Sequence, residues 1–523
     1  MDLGDHVTAE NAALILYPSG KSVSFRTLHE NANRLAHYLR RAGVVAGDTI
    51  AILMQNNEHI HPAMWAARRC GAYFTLVNIH LTGSEAAYVV DDCRAKAVIG
   101  SGALRDLCAQ MTSHLRSGLP AIALLADGDL DGWRRYPDCV AAEPTEFTPD
   151  DFEGQLLQYS AGSTGRPKGI RRPLALGDSG RPTLPTPVFG ALGVQADSVY
   201  LSPAPTYHTA PAMWTMSAQA IGATTVMMER FEARHALECI QRHRVTHAQF
   251  VPTMFVRMLR LPDAVKNSFD LSSLQRVIHA AAPCPPTIKQ QMIEWWGPII
   301  DEYYGSSEGA GISLIRAEEW LEHPGSVGRP ILGRPHILSD DGTELPPGEV
   351  GDIYFEGGYP FEYLNDVEKT AAARSVQGWV TVGDVGYLDD DGYLYLTDRR
   401  HNMIISGGVN IYPQEIENVL VSHPLVADVA VFGVPDEDLG QVVMAAVELT
   451  DGVLADDAIS AELLAWTADR LARHKRPRRL AFEARLPRTD AGKLYKSELI
   501  DRYSRQAETI SARPTLRARR GSS

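Results

Sequence analysis

The segment Tyr159-Ser-Ala-Gly-Ser-Thr-Gly-Arg-Pro-Lys-Gly169 concentrates the residue types that bind phosphate. Gly162, Gly165 and Gly169 let the backbone turn tightly and bring its N–H groups against an anion. Ser160, Ser163 and Thr164 add hydroxyl donors and Lys168 adds a positive charge, a set suited to a triphosphate or a pyrophosphate. It is not the Walker arrangement, in which Gly-Lys-Ser/Thr follows four spacer residues, because Lys168 precedes Gly169 and follows Pro167. Further along, Glu308 in Ser306-Ser-Glu-Gly309 is a hard oxygen ligand suited to a divalent cation. Taken singly, such residues have plainer readings. Lys493 reads as a solvated surface lysine, His208 as a core histidine, Asp384 as a turn residue and Glu308 as a helix-start carboxylate.

Elements to position these groups are visible in the apolar spacing. Leu28, Ala32, Leu35, Ala36 and Leu39 lie at helical spacing over 27–42, and Gly43 and Gly47 break the helix. Strand 49–54, helix 59–70, strand 73–77 and the short apolar runs 98–100 and 121–125 follow. Strands alternating with helices predict a parallel or mixed sheet covered by helices. The stretch 325–392, rich in Gly, Pro and Asp, reads as short β-strands with tight turns. Near the end, 426–434 and 442–449 read as strands and 459–471 as a helix. A domain boundary is expected at Asp398–His401.

The chain has 523 residues, enough for more than one domain and a large core. Its 45% hydrophobic and 22% charged residues exclude disordered, collagen-like and disulfide-scaffold classes. No apolar run spans a bilayer and no signal peptide is visible. Six scattered cysteines without a CxxC pair argue against a zinc site and fit a reducing cytoplasm. The net charge of −14 argues against nucleic acid as a partner. The charge is uneven. Residues 401–469 hold 12 acidic and no Lys or Arg residues, whereas 470–523 hold 16 basic against 5 acidic residues, an excess of 11. A basic end on an acidic chain suggests a face that meets phosphates.

The loop 159–169 resembles the signature loop of the adenylate-forming superfamily, which holds acyl-CoA synthetases, aryl-CoA ligases, luciferases and peptide-synthetase adenylation domains. Ala161 is its one departure. Further segments resemble that family in the expected order: Pro205-Thr-Tyr-His208, His279-Ala-Ala-Ala-Pro283, Tyr303-Tyr-Gly-Ser-Ser-Glu308 and Gly378-Trp-Val-Thr-Val-Gly-Asp384. Asp398-Arg-Arg-His-Asn-Met-Ile-Ile405, Ser406-Gly-Gly-Val-Asn-Ile-Tyr-Pro-Gln-Glu-Ile-Glu417 and Leu486-Pro-Arg-Thr-Asp-Ala-Gly-Lys493 complete the series. The departures are Ala280 for Gly, Val382 for Thr, His401 for Asp or Lys at the hinge, and Asn402 for Asp or Glu.

The resemblance implies an α/β protein with a large N-terminal domain of mixed sheets covered by helices, a β-subdomain, and a small mobile α+β C-terminal domain. The implied bounds are an AMP-binding domain over 1–398, a hinge at 399–401, a mobile domain over 402–510 and a disordered basic tail over 511–523. It implies Lys493, Glu308, His208 and Lys168 as catalytic residues. ATP would be held by Ser160, Gly162, Ser163, Thr164, Gly165, Ala281, Ala282, Pro283, Tyr304, Gly305, Ser307, Asp384 and Arg399. Glu308 and Ser163 would hold Mg²⁺, and Ser406, Gly407 and Gly408 would turn toward the pantetheine of CoA. The implied reaction forms an acyl-AMP from a carboxylic acid and ATP, then a thioester with CoA. Thr209 and Ala210 stand where amino-acid-activating relatives place an Asp, so an amino acid is not expected. Met213, Trp214 and Met216 suit a hydrophobic acid, expected to be fatty, with aryl and steroid side-chain acids as alternatives. A carrier-protein thiol as acceptor, and a non-catalytic binder, remain rival readings.

Overall fold

The computed structural model describes residues 10–146, 152–160, 167–176, 184–488 and 494–511. The basic tail 512–523 lies outside them. Beside a three-stranded sheet of Glu362–Tyr363, Lys168–Arg171 and Gln158–Ser160 and a two-stranded one, three large sheets organise the fold. The first is wholly parallel, with strands in the order Tyr73–Leu76, Thr49–Leu53, Ala97–Gly100, Ile122–Leu125 and Arg134–Arg135. Both faces of its central strands are buried, which explains their continuous apolar runs. Helix Phe25–Arg41 packs against helix Ile60–Arg69 beside this sheet. Ser24 caps the first helix by accepting from Thr27 N–H, and Leu28, Leu35 and Leu39 on its inner face are fully buried. Each such leucine contributes roughly 1.5–3 kcal/mol relative to exposure.

The second sheet has thirteen strands. Its parallel centre runs Thr224–Met228, Val199–Ser202, His247–Phe250, Arg276–His279 and Ile300–Gly305. Beyond Ile300–Gly305 the ladder turns antiparallel through Ile312–Ile315, Ser326–Leu332, Leu394–Arg399, Asp384–Leu388, Gly351–Glu356 and Arg334–Leu338. The turn-rich stretch is therefore strand-forming as expected, and it extends the central sheet. Gly311 permits this continuation, because a Cβ there would fall 2.0 Å from the Phe355 ring.

The third sheet is built by Val409–Ile411, Ile404–Ser406, Gly440–Leu449 and Val426–Asp436, with Arg479–Glu483 pairing parallel to Gly440–Leu449. Helices Pro413–Val421, Asp457–Ala468 and Lys496–Ser511 accompany it. The chain passes from the second sheet to the third across a single 3₁₀ turn, Arg400–Asn402. Arg400 is ion-paired to Asp340 and Asp352 on the side of the second sheet. Asp398 accepts from Asn402 Nδ2 at 2.9 Å and from Gln414 N–H at 2.9 Å. Among the described residues no helix is long and apolar enough to cross a membrane.

Candidate active site

Residues from all three sheets line one cleft of about 2020 Å³. Strand Ile300–Gly305 brings Tyr303, Tyr304 and Gly305 to it, and the turn after the strand brings Ser306, Ser307 and Glu308. Tyr304 Oη donates to Asp384 Oδ2 at 2.6 Å, and Arg399 Nε lies 3.1 Å from Asp384 Oδ1. Asp384 and Arg399 are cross-strand partners, so the sheet register itself sets this pair. Burial, and then the Asp384 carboxylate, push the Tyr304 phenol well above its ordinary range, which keeps it a donor.

Glu308 Oε1 accepts from Tyr363 Oη at 2.9 Å. Thr209 Oγ1 and Ser307 Oγ lie 2.9 Å apart, and Arg172 Nη2 donates to the Ser307 carbonyl at 2.8 Å. The Arg172 guanidinium closes over Gly309, where φ is +71° and a Cβ would fall 2.5 Å from Nη2. Only glycine meets both demands there. Ser306 Oγ is buried without a hydrogen-bond partner, in the middle of this turn. Ala281 carries a left-handed φ of +74° and lines the cleft. For a residue with a Cβ that conformation costs about 1–2 kcal/mol, the kind of strain concentrated at ligand sites. An orphaned hydroxyl, a strained backbone turn and a Tyr–Asp–Arg chain fit a nucleotide. The hard oxygens of the Glu308 carboxylate fit Mg²⁺ on its phosphates, since that ion needs few protein ligands when phosphates supply the rest.

The apolar end of the cleft is walled by aromatic rings. His208 precedes helix Thr209–Ile221, which places Met213 and Trp214 on the cleft. Trp214 stacks on Tyr303, with ring centroids 5.2 Å apart and planes at 24°, and Phe189 packs behind it at 4.6 Å. Gln249 Nε2 donates to Tyr303 Oη at 3.1 Å and Tyr200 Oη donates to Gln249 Oε1 at 3.3 Å. Burial holds the Tyr303 phenol up at about 12, against the pull of its bonds to Gln249 and Trp214. The space behind this wall is about 10 Å³, at the lower limit for one water.

Of the residues singled out from the sequence, His208, Ser160, Ala281, Ala282, Pro283, Tyr304, Gly305, Ser307, Glu308, Asp384 and Arg399 line this cleft. Lys493, Gly162, Ser163, Thr164 and Gly165 lie outside the described residues. Their neighbours on either side are described. Ser160 and Lys168 are antiparallel cross-strand partners, and Arg488 and Leu494 both line the cleft. Lys168 is not a lining residue, and its Nζ sits 3.5 Å from Asp366 Oδ2. Ser406, Gly407 and Gly408 lie on the hairpin 404–411, away from the cleft lining. Met216 is fully buried in the core packing and does not reach the pocket. Two residues beyond Trp214, it lies about 200° round the helix from that lining side chain. Sequence reasoning missed Arg172, Tyr363, Lys369 and the Trp214–Tyr303 contact, and named Thr209 for the missing Asp without its link to Ser307.

Two family models match the chain: AMP-binding enzyme over residues 5–362 and AMP-binding enzyme C-terminal domain over 415–493. A feruloyl-CoA synthase of Amycolatopsis sp is 33% identical over 493 residues, covering 92% of this chain and 94% of its own. A fatty acid–[acyl-carrier-protein] ligase of Streptomyces coeruleorubidus is 29% identical over 509 residues, covering 95% of each. The structure of o-succinylbenzoate CoA synthetase from Bacillus subtilis, in complex with its acyl-adenylate intermediate, superposes with a TM-score of 0.76 at 28% identity, over 94% of this chain and 96% of that one. With the site geometry above and matches that run nearly end to end, the chain belongs to the adenylate-forming AMP-binding enzymes and is an acid–thiol ligase.

Proposed function

We propose that the protein activates a hydrophobic carboxylic acid with ATP as an acyl-adenylate and transfers the acyl group to CoA, releasing AMP and pyrophosphate. One observation carries this reading: the Tyr304–Asp384–Arg399 chain and Glu308 share a cleft with an apolar chamber bounded by Met213, Trp214, Tyr303 and Val251. Asp384 would accept from the ribose hydroxyls, and Ala281–Pro283 with Tyr304 would border the adenine. A carboxylate oxygen then attacks the α-phosphorus, the P–O bond to pyrophosphate breaks, and Lys493 and Lys168 stabilise the charge that develops. Glu308 and Ser163 would hold Mg²⁺, which supplies neutralisation of phosphate charge when bound. In the second step the CoA sulfur attacks the acyl carbonyl and AMP leaves. That step uses a hinge at 399–401 between domains 1–398 and 402–510, with Ser406–Gly408 moving to the pantetheine path.

The basic cluster Arg473, Lys475, Arg476, Arg478 and Arg479 would meet the CoA phosphates, though not with every charge. Lys475 is paired with Glu415 at 2.6 Å and Arg476 is bonded to the Leu471 and Ala468 carbonyls, which leaves Arg473, Arg478 and Arg479 as candidates. For the acid, the Trp214–Tyr303 wall favours a ring-sized or short hydrophobic carboxylate over a long straight chain. A long chain would have to displace the stacked Trp214 and Tyr303 rings and break the Gln249–Tyr303 bond. The feruloyl-CoA relative supports the same choice. The Streptomyces relative supports a second reading, transfer to a carrier-protein thiol. Mass spectrometry after incubation with Mg-ATP, CoA and a mixed pool of aryl and fatty acids tests the proposal. Acyl-CoA with stoichiometric AMP is expected, enriched in ring-bearing acids. Acyl-AMP without acyl-CoA favours the carrier protein, and enrichment of long-chain thioesters overturns the choice of acid.

A further inference from the structure

A second lysine, outside every motif in the sequence, stands at the phosphate end of the cleft. Lys369 lies on the short helix Val367–Ala372, whose cap Asp366 accepts from Lys369 N–H at 3.0 Å. Its ammonium sits 4.0 Å from the Tyr363 ring centroid, and the Tyr363 hydroxyl donates to Glu308. Lys369 therefore lines the cleft one ring away from the carboxylate suited to magnesium. Lys168 comes to the same spot on the neighbouring strand Lys168–Arg171, whose Ile170 and Arg171 pair with Tyr363 and Glu362. The carboxylate of Asp366 takes Lys168, at 3.5 Å.

Burial, and next the positive charge of Lys168, depress the Lys369 ammonium to about 8. Two like charges held together in a partly buried cleft repel each other, and folding gains nothing from that repulsion. An anion between them reverses its sign. Among the described residues, the carboxylates that act on Lys369 are Glu308 and then Asp366. A polyphosphate brings several negative charges and many acceptor oxygens.

We propose that Lys369 is a ligand of the β- and γ-phosphates of ATP, acting with Lys168, and holds the pyrophosphate as it leaves. This rests on the ATP-dependent reading above. It assigns to Lys369 a contact that AMP, with its single phosphate next to the ribose, does not make.

Calorimetric titration of the full-length chain with Mg-ATP, Mg-pyrophosphate and AMP separates the possibilities. Lys369→Met keeps an apolar stem on Tyr363 and removes the charge. The expected result is affinity for Mg-ATP and Mg-pyrophosphate weakened about ten- to hundredfold, the range for loss of a charge-assisted bond. AMP affinity should stay unchanged, and Lys369→Arg should recover most of the loss. Equal weakening for all three ligands would show that Lys369 only supports the fold of the cleft and would overturn the proposal. So would unchanged affinity for all three. A wild-type chain that binds AMP and no polyphosphate would overturn it as well. A wild-type chain that binds none of the three would instead overturn the ATP-dependent reading.

Discussion

Asp384 serves two partners with its two oxygens, Tyr304 on one and Arg399 on the other. Both bonds run between strands of the same sheet, so they are formed before any nucleotide arrives and require no reorganisation when it does. Asp384→Asn keeps the shape and removes the charge. It turns one acceptor into an NH₂ group that faces a donor. The expected outcome is a rise of about ten- to hundredfold in KM for ATP, matching the ~1.5–3 kcal/mol of a hydrogen bond to a charged group. KM for the acid should hold, as steady-state kinetics with each substrate varied in turn would check. A change in the acid KM alone would place Asp384 at the wrong end of the cleft.

At the scale of elements, helices Ile60–Arg69 and Thr209–Ile221 are joined by two buried side-chain bonds one turn apart. Trp65 Nε1 donates to Gln219 Oε1 at 2.8 Å, and His61 Nε2 lies 2.9 Å from Thr215 Oγ1. Thr215 gives its own proton to the Pro211 carbonyl at 2.7 Å, so His61 must donate through Nε2. Its Nδ1 is then a buried nitrogen without a partner. A proton there would bring an unsolvated charge into the core, and burial accordingly lowers the imidazole from 6.5 to about 3. The sign follows from linkage. The unfolded chain binds a proton below about pH 6.5 and the folded chain does not, so stability falls as pH drops through that window, by up to roughly 1.4 kcal/mol per pH unit. His61→Gln should flatten that part of the pH–stability curve measured by urea unfolding between pH 7 and pH 5. An unchanged slope would mean that His61 titrates normally.

The same two helices mark what the sequence could and could not disclose. The parallel strands 49–53, 73–76, 97–100 and 122–125 were readable because burial on both faces writes an unbroken apolar run. The glycines and charged residues of the nucleotide motifs were readable because each is tied to backbone geometry or to a fixed charge. Pairings between distant segments were not. Tyr363 and Lys369 meet Glu308 and Lys168 only because strand Glu362–Tyr363 pairs with Lys168–Arg171 across nearly two hundred residues. Trp214 and Met216 look equivalent in sequence, and a rotation of two residues along the helix sends one to the cleft and the other to the core. The antiparallel continuation of the central sheet was equally hidden, since short strands and turns read alike whether they form a separate unit or extend an existing one.

Across the whole molecule, a side chain of the N-terminal region bonds directly to the C-terminal sheet. Arg260 Nη2 donates to the Val426 carbonyl at 2.6 Å, with Asp428, Glu448 and Asp451 around its guanidinium. The same acidic group fixes the segment that leads to Lys493, because Arg488 donates to Asp428 at 2.7 Å and Leu486 N–H to Glu448 at 2.8 Å. Arg260→Ala removes the bridge and leaves that segment intact. If this orientation of the two regions serves adenylate formation, the variant should slow pyrophosphate exchange by about tenfold or more, the population shift equivalent to one charge-assisted bond. Thioester formation from supplied acyl-AMP should be unaffected or faster. Equal slowing of both half-reactions would show that Arg260 does not discriminate between orientations.

The Trp214–Tyr303 stack has an optical consequence. An indole face held against a phenol at the edge of the apolar chamber is a built-in fluorophore whose emission depends on what lies beside it. An acid seated there should quench or shift the tryptophan signal of the unlabelled chain, and Trp214→Phe should abolish the change while the other seven tryptophans remain. Candidate acids could then be ranked by titration in a cuvette, with no nucleotide, thiol or turnover required.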